Sequence, residues 1–316
     1  MRAPGGVDIA TAVGPVALAN PVMTASGTAG HGAELSAYCD LASIGAVVVK
    51  SMSTFAWPGN PAPRLAPAAG GMLNSVGLQG SGVATWLTRD LPALERTHAT
   101  VVVSIWGRRV DDFAEAAAAL AGASPAIAAV EVNVSCPNVE DGSTMFGHSP
   151  AATAAAVTAA QASGLPLWVK LSPNTTDVRP IAAAALEAGA VALTLVNTVV
   201  GMEIDVGERR ARLGGVTGGL SGAAIHPVAV RAVFECRAAF PDVGIVGVGG
   251  VRNGPDAVEL LMAGADAVQV GTATLADPRA PVRVRDGIER WCHRNGVARV
   301  RDVVGAAHEG AKVRVR

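Results

Sequence analysis

The chain has 316 residues, a formal net charge of −1, and a composition that is 50% hydrophobic and only 16% charged. It is long enough for one large domain or two ordinary ones, and too apolar to be disordered. The near-neutral charge excludes electrostatic attraction to nucleic acid or to acidic lipid as a basis for function.

The chain begins MRAPGGVDIATAVGP, which lacks the apolar core of a secretory signal. The most apolar long stretch, residues 181–202, contains Glu187 and Asn197 and is interrupted by glycines. A membrane-spanning helix needs about 20 consecutive apolar residues. We therefore read this stretch as a helix followed by a buried strand, and we expect no membrane span.

The four cysteines lie far apart and form no CxxC pair: Cys39, Cys136, Cys236 and Cys292. Disulfide frameworks, zinc sites and iron–sulfur clusters need clustered thiols. This spacing predicts a cytoplasmic protein that holds no metal and no iron–sulfur cluster of its own.

Eight short runs are apolar at nearly every position, which is typical of strands covered on both faces. The runs are Val22–Thr24, Ala46–Lys50, Val101–Ile105, Ala128–Asn133, Leu167–Leu171, Val191–Leu195, Gly244–Val248 and Ala267–Val270. Alanine-rich stretches with helical periodicity lie between them: Asp111–Leu120, Ala151–Ala162, Asp177–Ala188, Pro227–Phe240 and Pro255–Ala263.

This alternation predicts an α/β fold, a (β/α)₈ TIM barrel that forms one domain over residues 1–316. The competing architecture, a doubly wound sheet, usually carries GxGxxG after its first strand. No such motif follows the first run, and GVGGVR at 247–252 has Arg252 in place of the third glycine. Two long insertions, residues 55–98 and 199–221, should emerge as loops at the C-terminal face, where barrel active sites lie.

Polar residues end or closely follow four of the predicted strands: Lys50, Asn133, Lys170, Asn197 and Thr198. The carboxyl ends of barrel strands meet at one face, so these side chains should lie close together. Glycine turns follow the last two strands, Gly249-Gly250 and Gly271-Thr272. Barrels often bind phosphate there through backbone N–H groups.

The segment NVSCPNVEDGSTMFG at 133–147 follows the fourth strand and contains Cys136 in a polar setting. A lone cysteine is often only a small buried hydrophobe. A thiol whose surroundings favour the thiolate can instead act as a general base. The histidines at 148 and 226 are read as loop residues.

This segment resembles the catalytic loop of dihydroorotate dehydrogenases, and further pieces resemble motifs of that family in the family's order. They are VVVKSMST at 47–54, LNSVGLQG at 73–80, VKLSPN at 169–174, VNTVVGMEID at 196–205, GGLSG at 218–222, GVGG at 247–250 and GTA at 271–273. The resemblance runs from about Pro15 to about Asp277. It implies FMN-dependent oxidation of (S)-dihydroorotate to orotate in pyrimidine (UMP) biosynthesis, and an N-terminal β-hairpin before the barrel.

A cysteine base resembles the class 1 enzymes, because class 2 enzymes carry serine there and an N-terminal membrane extension. The spacing from Gly142 to Phe146 and the run at 218–230 resemble class 1B. Class 1B implies an electron-transfer subunit with FAD and a [2Fe–2S] cluster, NAD⁺ as final acceptor, and a homodimer or heterotetramer. Without such a subunit, fumarate or a quinone would be the acceptor.

The resemblance also implies residue roles. Cys136 would be the catalytic base. The substrate would be held by Lys50, Asn74, Ser75, Val76, Gly77, Leu78, Asn133, Asn197 and Thr198. FMN would be held by Ser26, Lys50, Ser51, Ser104, Asn133, Lys170, Val196, Gly222, Gly249, Gly250, Gly271 and Thr272. Residues 137–148 would form a lid over the substrate.

Two positions depart from the family pattern, because Ser104 and Gly80 stand where asparagine is expected. Two other functions stay open at this stage. A dihydropyrimidine dehydrogenase-like FMN enzyme shares much of the pattern but is usually fused to cluster-bearing domains. A phosphate-binding barrel without redox chemistry explains the glycine turns but not the asparagines around Cys136.

Overall fold

The computed structural model describes residues 6–135 and 145–311. In chain order its strands are β1 (Thr11–Val13), β2 (Val16–Leu18), β3 (Val22–Thr24), β4 (Val47–Val48), β5 (Leu65–Ala68), β6 (Gly71–Asn74), β7 (Val101–Ile105), β8 (Ile127–Asn133), β9 (Leu167–Leu171), β10 (Ala192–Leu195), β11 (Val199–Gly201), β12 (Ile204–Asp205), β13 (Arg210–Ala211), β14 (Gly218–Ser221), β15 (Gly244–Val248) and β16 (Ala267–Val270).

The α-helices are α1 (Val83–Arg89), α2 (Leu91–Glu95), α3 (Val110–Leu120), α4 (Pro150–Ala160), α5 (Arg179–Glu187), α6 (His226–Ala239), α7 (Gly254–Ala263), α8 (Thr272–Ala276), α9 (Ala280–Arg294) and α10 (Ala306–Ala311). No helix in the described part of the chain is both long enough and apolar enough to cross a membrane.

Eight parallel strands form one sheet in the order β3-β16-β15-β10-β9-β8-β7-β4. The two ends of this sheet meet, because the amide of Thr24 lies 3.3 Å from the carbonyl oxygen of Ala46, and that of Gly45 lies 2.7 Å from the carbonyl oxygen of Val22. The predicted (β/α)₈ barrel is therefore confirmed. Each observed barrel strand lies within one of the eight predicted runs or extends it by one residue, with Lys50 just beyond β4.

Side chains alternate along each strand between the barrel interior and the surrounding helices. The lower interior is apolar and includes Met23, Val102, Trp168 and Val246, all completely buried. One layer higher, the inward positions of β7, β8, β9 and β16 carry Ser104, Glu131, Lys170 and Gln269. The barrel therefore has an apolar base and a polar upper layer.

The expected N-terminal hairpin is present as the antiparallel pair β1–β2. It packs against the N-terminal ends of the late barrel strands, where Thr11 Oγ1 donates a hydrogen bond of 2.9 Å to the carbonyl oxygen of Asp266. A Cβ on Gly244 would lie 2.6 Å from the backbone nitrogen of Gly14, so strand β15 can approach the hairpin only with glycine there. The hairpin closes the N-terminal end of the barrel.

The two long insertions lie at the opposite face and pair with each other. Strands β5 and β6 from the first insertion and β11 and β14 from the second form an antiparallel sheet in the order β11-β14-β6-β5. Asn74 lies opposite Gly219 in this sheet. The insertions are thus a second layer of ordered structure at the C-terminal face.

Candidate active site

A cavity of about 1050 Å³ opens at the C-terminal ends of the barrel strands. Its wall comes from the loops after the barrel strands and from β6 and β14 of the insertion sheet. Ligand sites are typically about 300–1,000 Å³ and mostly apolar with a few convergent polar groups. This cavity is large enough for a substantial cofactor together with a small substrate.

Two lysines line the cavity, Lys50 after β4 and Lys170 on β9. Lys170 is buried inside the barrel, where it faces the carboxylate of Glu131. Burial, and then the positive charge of Lys170, lower the pKa of the Lys50 ammonium to about 8. Charged lysines in a closed site provide strong attraction for an anionic ligand.

Hydroxyl and amide groups form a connected chain along one side of the cavity. Ser51 Oγ lies 3.2 Å from Ser26 Oγ and 2.8 Å from Ser104 Oγ. Asn133 Nδ2 donates to Ser51 Oγ at 3.3 Å, and its Oδ1 accepts from Asn197 Nδ2 at 3.3 Å. The two asparagine amides are thereby held in one orientation, which prepares them to recognise a ligand that has its own donors and acceptors.

The loop that follows β6 supplies another wall. Asn74 Nδ2 donates to the carbonyl oxygen of Gly219 at 3.1 Å, and Ser75 Oγ accepts from Asn60 Nδ2 at 2.8 Å. Gly77 and Leu78 both have positive φ angles, 72° and 61°, so this loop turns sharply over the cavity. The hydrogen bond between Asn74 and Gly219 also ties the two insertions together at the site.

Glycines form a close-packed cradle at the ends of β14 and β15. A Cβ on Gly222 would lie 2.6 Å from the Cα atom of Gly71, and a Cβ on Gly250 would lie 2.5 Å from Cβ of His226. Gly249, Gly250 and Gly222 all have positive φ. Nearby, Thr272 Oγ1 donates to Ser221 Oγ at 2.8 Å. Only glycine permits this approach, and exposed backbone amides in such a cradle suit a phosphate.

The prediction that His226 is a loop residue was wrong, because His226 is the first residue of α6. Its Nδ1 lies 2.8 Å from the carbonyl oxygen of Gly249, and its Nε2 lies 3.0 Å from Oε2 of Glu259. The carbonyl of Gly249 accepts from the ring nitrogen. His226 therefore braces the glycine cradle from behind, a role for which the sequence gives no local signal.

The structure gathers nearly all of the expected site residues around this single cavity. Those in its lining are Ser26, Lys50, Ser51, Asn74, Ser75, Val76, Gly77, Leu78, Asn133, Lys170, Val196, Asn197, Thr198, Gly222, Gly249, Gly250, Gly271 and Thr272.

The two positions that depart from the family pattern do not line the cavity. Ser104 is fully buried behind Ser51 and reaches the cavity only through the hydroxyl of that residue. Gly80 pairs through its backbone with Trp57, and a Cβ there would meet only Nε2 of His31, at 3.8 Å. Gly80 itself contributes nothing to the wall of the cavity.

Cys136 and most of the expected lid lie outside the described residues. Ser135, immediately before Cys136, lines the cavity, and its amide donates to Asn133 Oδ1 at 3.1 Å. At the other end of the expected lid, Phe146 is completely buried against Phe113, with ring centroids 5.3 Å apart. Phe146 is thus a core residue at the C-terminal end of the expected lid.

Sequence reasoning missed several lining residues, among them Asn60, Trp57, Trp106 and Arg108. The guanidinium of Arg108 lies 4.9 Å from the ring centroid of Trp57, and the Trp57 and Trp106 rings meet edge to face at 6.2 Å. A cation stacked on an aromatic ring is stabilised by the ring's quadrupole. The two tryptophans were the available signal, since a large aromatic side chain just after a barrel strand or in a long insertion usually has a packing or binding role.

Comparison with known proteins decides the family. The sequence profile described as "Dihydroorotate dehydrogenase" matches residues 9–291. The chain belongs to the dihydroorotate dehydrogenase family. Members of this family are flavin-dependent oxidoreductases.

Among curated proteins, the chain is 47% identical over 290 residues to the dihydroorotate dehydrogenase B (NAD(+)) catalytic subunit of Pelobacter propionicus, covering 92% of this chain and 95% of the relative. It is 48% identical over 303 residues to the protein of the same name from Desulforudis audaxviator, covering 96% and 98%. A crystal structure of the DHODH of Eimeria tenella in complex with ferulenol superposes with a TM-score of 0.79 at 23% identity, over 95% of this chain and 89% of that one. That last likeness concerns the fold.

Proposed function

We propose that this chain is a class 1B dihydroorotate dehydrogenase catalytic subunit that binds FMN and oxidises (S)-dihydroorotate to orotate in pyrimidine biosynthesis. The observation that carries the proposal is the joint presence, in one cavity, of two lysines, four asparagines and a glycine cradle. The family membership and the names of the relatives support the same conclusion.

The cavity suits FMN on chemical grounds. Gly222, Gly249, Gly250 and Gly271 offer close backbone approach where a phosphate needs it, with the hydroxyl of Thr272 beside them. Lys170 places a cation in the floor, where positive charge favours a reduced, anionic flavin. Ser26, Ser51 and Val196 complete the proposed cofactor wall.

The substrate carries alternating N–H and C=O groups and one carboxylate. The amides of Asn74, Asn133 and Asn197, with the hydroxyl of Thr198, supply matching donors and acceptors. The ammonium of Lys50 supplies the charge for the carboxylate. The backbone from Ser75 to Leu78 closes over the same space.

When bound, FMN supplies a hydride acceptor for the hydrogen that leaves C6 of the substrate with its electron pair. Cys136 is the proposed base that takes the proton from C5, so the C5–C6 single bond becomes a double bond. The position of Ser135 in the cavity wall supports this role for its neighbour. The segment from Pro137 onward is the proposed lid, which would keep water from the reacting atoms.

We further propose that the electrons leave to NAD⁺ through a partner subunit that holds FAD and a [2Fe–2S] cluster, in a cytoplasmic assembly of two such pairs. The relatives' shared name, B (NAD(+)) catalytic subunit, supports NAD⁺ as the acceptor and the existence of a partner subunit. Among the residues that the structure describes, no group of three or more histidine, cysteine or acidic side chains is placed to hold a metal.

The test begins with the visible spectrum of the purified chain, where a peak near ~450 nm reports flavin. Heat-released flavin is then identified as FMN or FAD by chromatography. Anaerobic dihydroorotate should bleach the peak, and dihydrouracil should not. A colourless protein that binds phosphate would support a non-redox barrel, and bleaching by dihydrouracil alone would support a dihydropyrimidine-reducing enzyme.

The electron acceptor is tested separately. Dihydroorotate-dependent NADH formation should require the co-purified electron-transfer subunit. Equally fast reduction of fumarate or of a quinone by the isolated chain would contradict the assignment to class 1B.

A further inference from the structure

Three polar side chains meet inside the barrel beneath the cavity. Glu131 on β8 and Gln269 on β16 are completely buried, and Lys170 on β9 is 6% exposed. Lys170 Nζ lies 3.8 Å from Oε1 of Glu131 and 3.5 Å from Oε1 of Gln269. Gln269 Nε2 donates to Oε2 of Glu131 at 2.7 Å. Each of the three therefore contacts the other two.

The amide of Gln269 has the right polarity for its two partners. Its NH₂ group faces the carboxylate, which can only accept, and its oxygen faces the ammonium, which can only donate. The amide thus links the acid to the base and can do so in one orientation only. Glu131 Oε1 has no hydrogen-bond donor among the described residues, so its main partner is the charge of Lys170.

Folding alone gives little reason for an ion pair at this depth. The desolvation penalty of two buried charges is about as large as the stabilisation from their attraction. Replacing such a pair by apolar side chains of similar volume therefore often leaves the stability of the fold unchanged. Two residues earlier on the same strands stand Ala129, Trp168 and Ala267, all apolar and fully buried. Of the triad, Lys170 alone lines the cavity. The pair is thus better explained by what Lys170 does there.

We propose that Glu131 and Gln269 are positioning residues that fix the Lys170 ammonium in the cavity floor and partly balance its charge, and thereby set the reduction potential of the bound flavin. This proposal rests on the proposed function, because it needs a flavin in the cavity. The ammonium lies nearer to the cavity than the carboxylate does, so the intact pair presents its positive end to the ligand. Burial is the larger cause of the lowered pKa of Lys50 and the charge of Lys170 the second, so the field of Lys170 reaches that lysine within the site.

The test is the midpoint potential of the bound flavin, measured by chemical reduction against a reference dye at pH 6.5. This pH lies below the pKa of about 8 for Lys50, so that lysine keeps its charge throughout. Glu131→Gln has nearly the same shape but leaves Lys170 unbalanced, so its potential should be more positive than wild type. Glu131→Asp retains the charge and should return the potential towards the wild-type value.

The double variant Lys170→Met/Glu131→Gln removes both charges and leaves none buried. The midpoint potential of its bound flavin should be more negative than that of the wild type, because the positive end of the pair is gone. The double variant also allows the proposal to be tested if Glu131→Gln does not fold. The control is Thr194→Val, an isosteric change of another fully buried interior residue, which should leave the potential unchanged.

Wild-type protein without flavin would overturn the proposed function itself. Flavin-loaded variants whose potentials all coincide with wild type would overturn only the positioning role. A shift of the same sign in Glu131→Gln and in the double variant would also overturn it, since general damage to the site has no reason to reverse sign.

Discussion

Gly250 and His226 are packed so closely that a Cβ on Gly250 would lie 2.5 Å from Cβ of His226. The imidazole of His226 in turn contacts the carbonyl oxygen of Gly249 and the carboxylate of Glu259. The glycine turn after β15 is therefore held from behind by the first residue of α6. The turn therefore has no space for a side chain at position 250.

This packing gives a prediction for Gly250→Ala. Gly250 has φ +69°, so alanine adds backbone strain of about 1 kcal/mol. The overlap with His226 should cost roughly 1–3 kcal/mol more and shift the turn. FMN affinity should fall at least ~10-fold, as followed by titrating apoprotein with FMN fluorescence.

Gly122→Ala is the matched control. Gly122 has nearly the same φ, +66°, but nothing lies within 4 Å of the added Cβ. It should lose similar backbone stability in thermal unfolding and keep its FMN affinity. Equal loss of FMN in both variants would mean that the turn does not hold the phosphate.

Lys50 gives a prediction about pH. Its pKa in the folded protein is lowered to about 8, so the ammonium is charged below that pH and neutral above it. A bound carboxylate favours the charged form, so binding takes up a proton above pH 8. The dissociation constant of orotate should be flat below about pH 8 and should then rise by up to ~10-fold per pH unit.

The measurement is the perturbation of the flavin spectrum by orotate in a Cys136→Ala background, which removes the ionisable thiol. Lys50→Arg stays charged and should bind orotate with no such rise. A wild-type profile that stays flat to pH 10 would show that Lys50 does not contact the anion.

The roles of Ser104 and Ser51 can be distinguished by substituting each of them in turn. Ser104 is fully buried and hydrogen-bonds to Ser51 at 2.8 Å, whereas Ser51 also contacts Ser26 and Asn133 at the cavity. Ser104→Ala should lower unfolding free energy by about 1 kcal/mol with FMN affinity changed less than ~3-fold.

Ser51→Ala should weaken FMN binding by ~10-fold, because the Asn133 amide loses its acceptor at the cavity wall. Both variants are compared by thermal unfolding of apoprotein and by FMN titration. A larger loss of FMN in Ser104→Ala than in Ser51→Ala would restore a direct contact between Ser104 and the cofactor.

Cys136 is tested by Cys136→Ala. The variant should keep its yellow flavin, but reduction of that flavin by dihydroorotate should slow by ~10²–10⁴-fold, the usual contribution of a general base. Stopped-flow absorbance measures this half-reaction directly. Cys39→Ala, a half-buried thiol that does not line the cavity, is the control and should react at the wild-type rate. Wild-type reduction by Cys136→Ala would rule the thiol out as the base.

The barrel strands were predictable because a strand covered on both faces reads as a continuous apolar run, and β7, β9 and β16 match their runs residue for residue. The observed helix ends differ from the predicted ones by one or two residues. Helix α5 begins at Arg179 rather than at Asp177, and the carboxylate of Asp177 accepts a hydrogen bond from the amide of Arg179. Such local capping does not change the periodic pattern from which helices are read.

The insertion sheet was not predictable, because Asn74 and Gly219 pair across 145 residues of chain and neither strand has clear alternation. Glu131 and Gln269 were also missed, although a signal existed. A charged or amide side chain inside an otherwise apolar strand has no route to solvent and must find a buried partner. For Glu131 that partner is Lys170 on the neighbouring strand β9.

The hairpin below the barrel has a consequence for turnover. In the part of the chain that the structure describes, strands β1 and β2 cover the N-terminal end of the barrel and Trp168 fills its lower interior, so no channel runs along the barrel axis. Reactant and product therefore both use the C-terminal face, where they would occupy the same part of the cavity. Accumulating orotate should therefore act as a competitive inhibitor with respect to dihydroorotate.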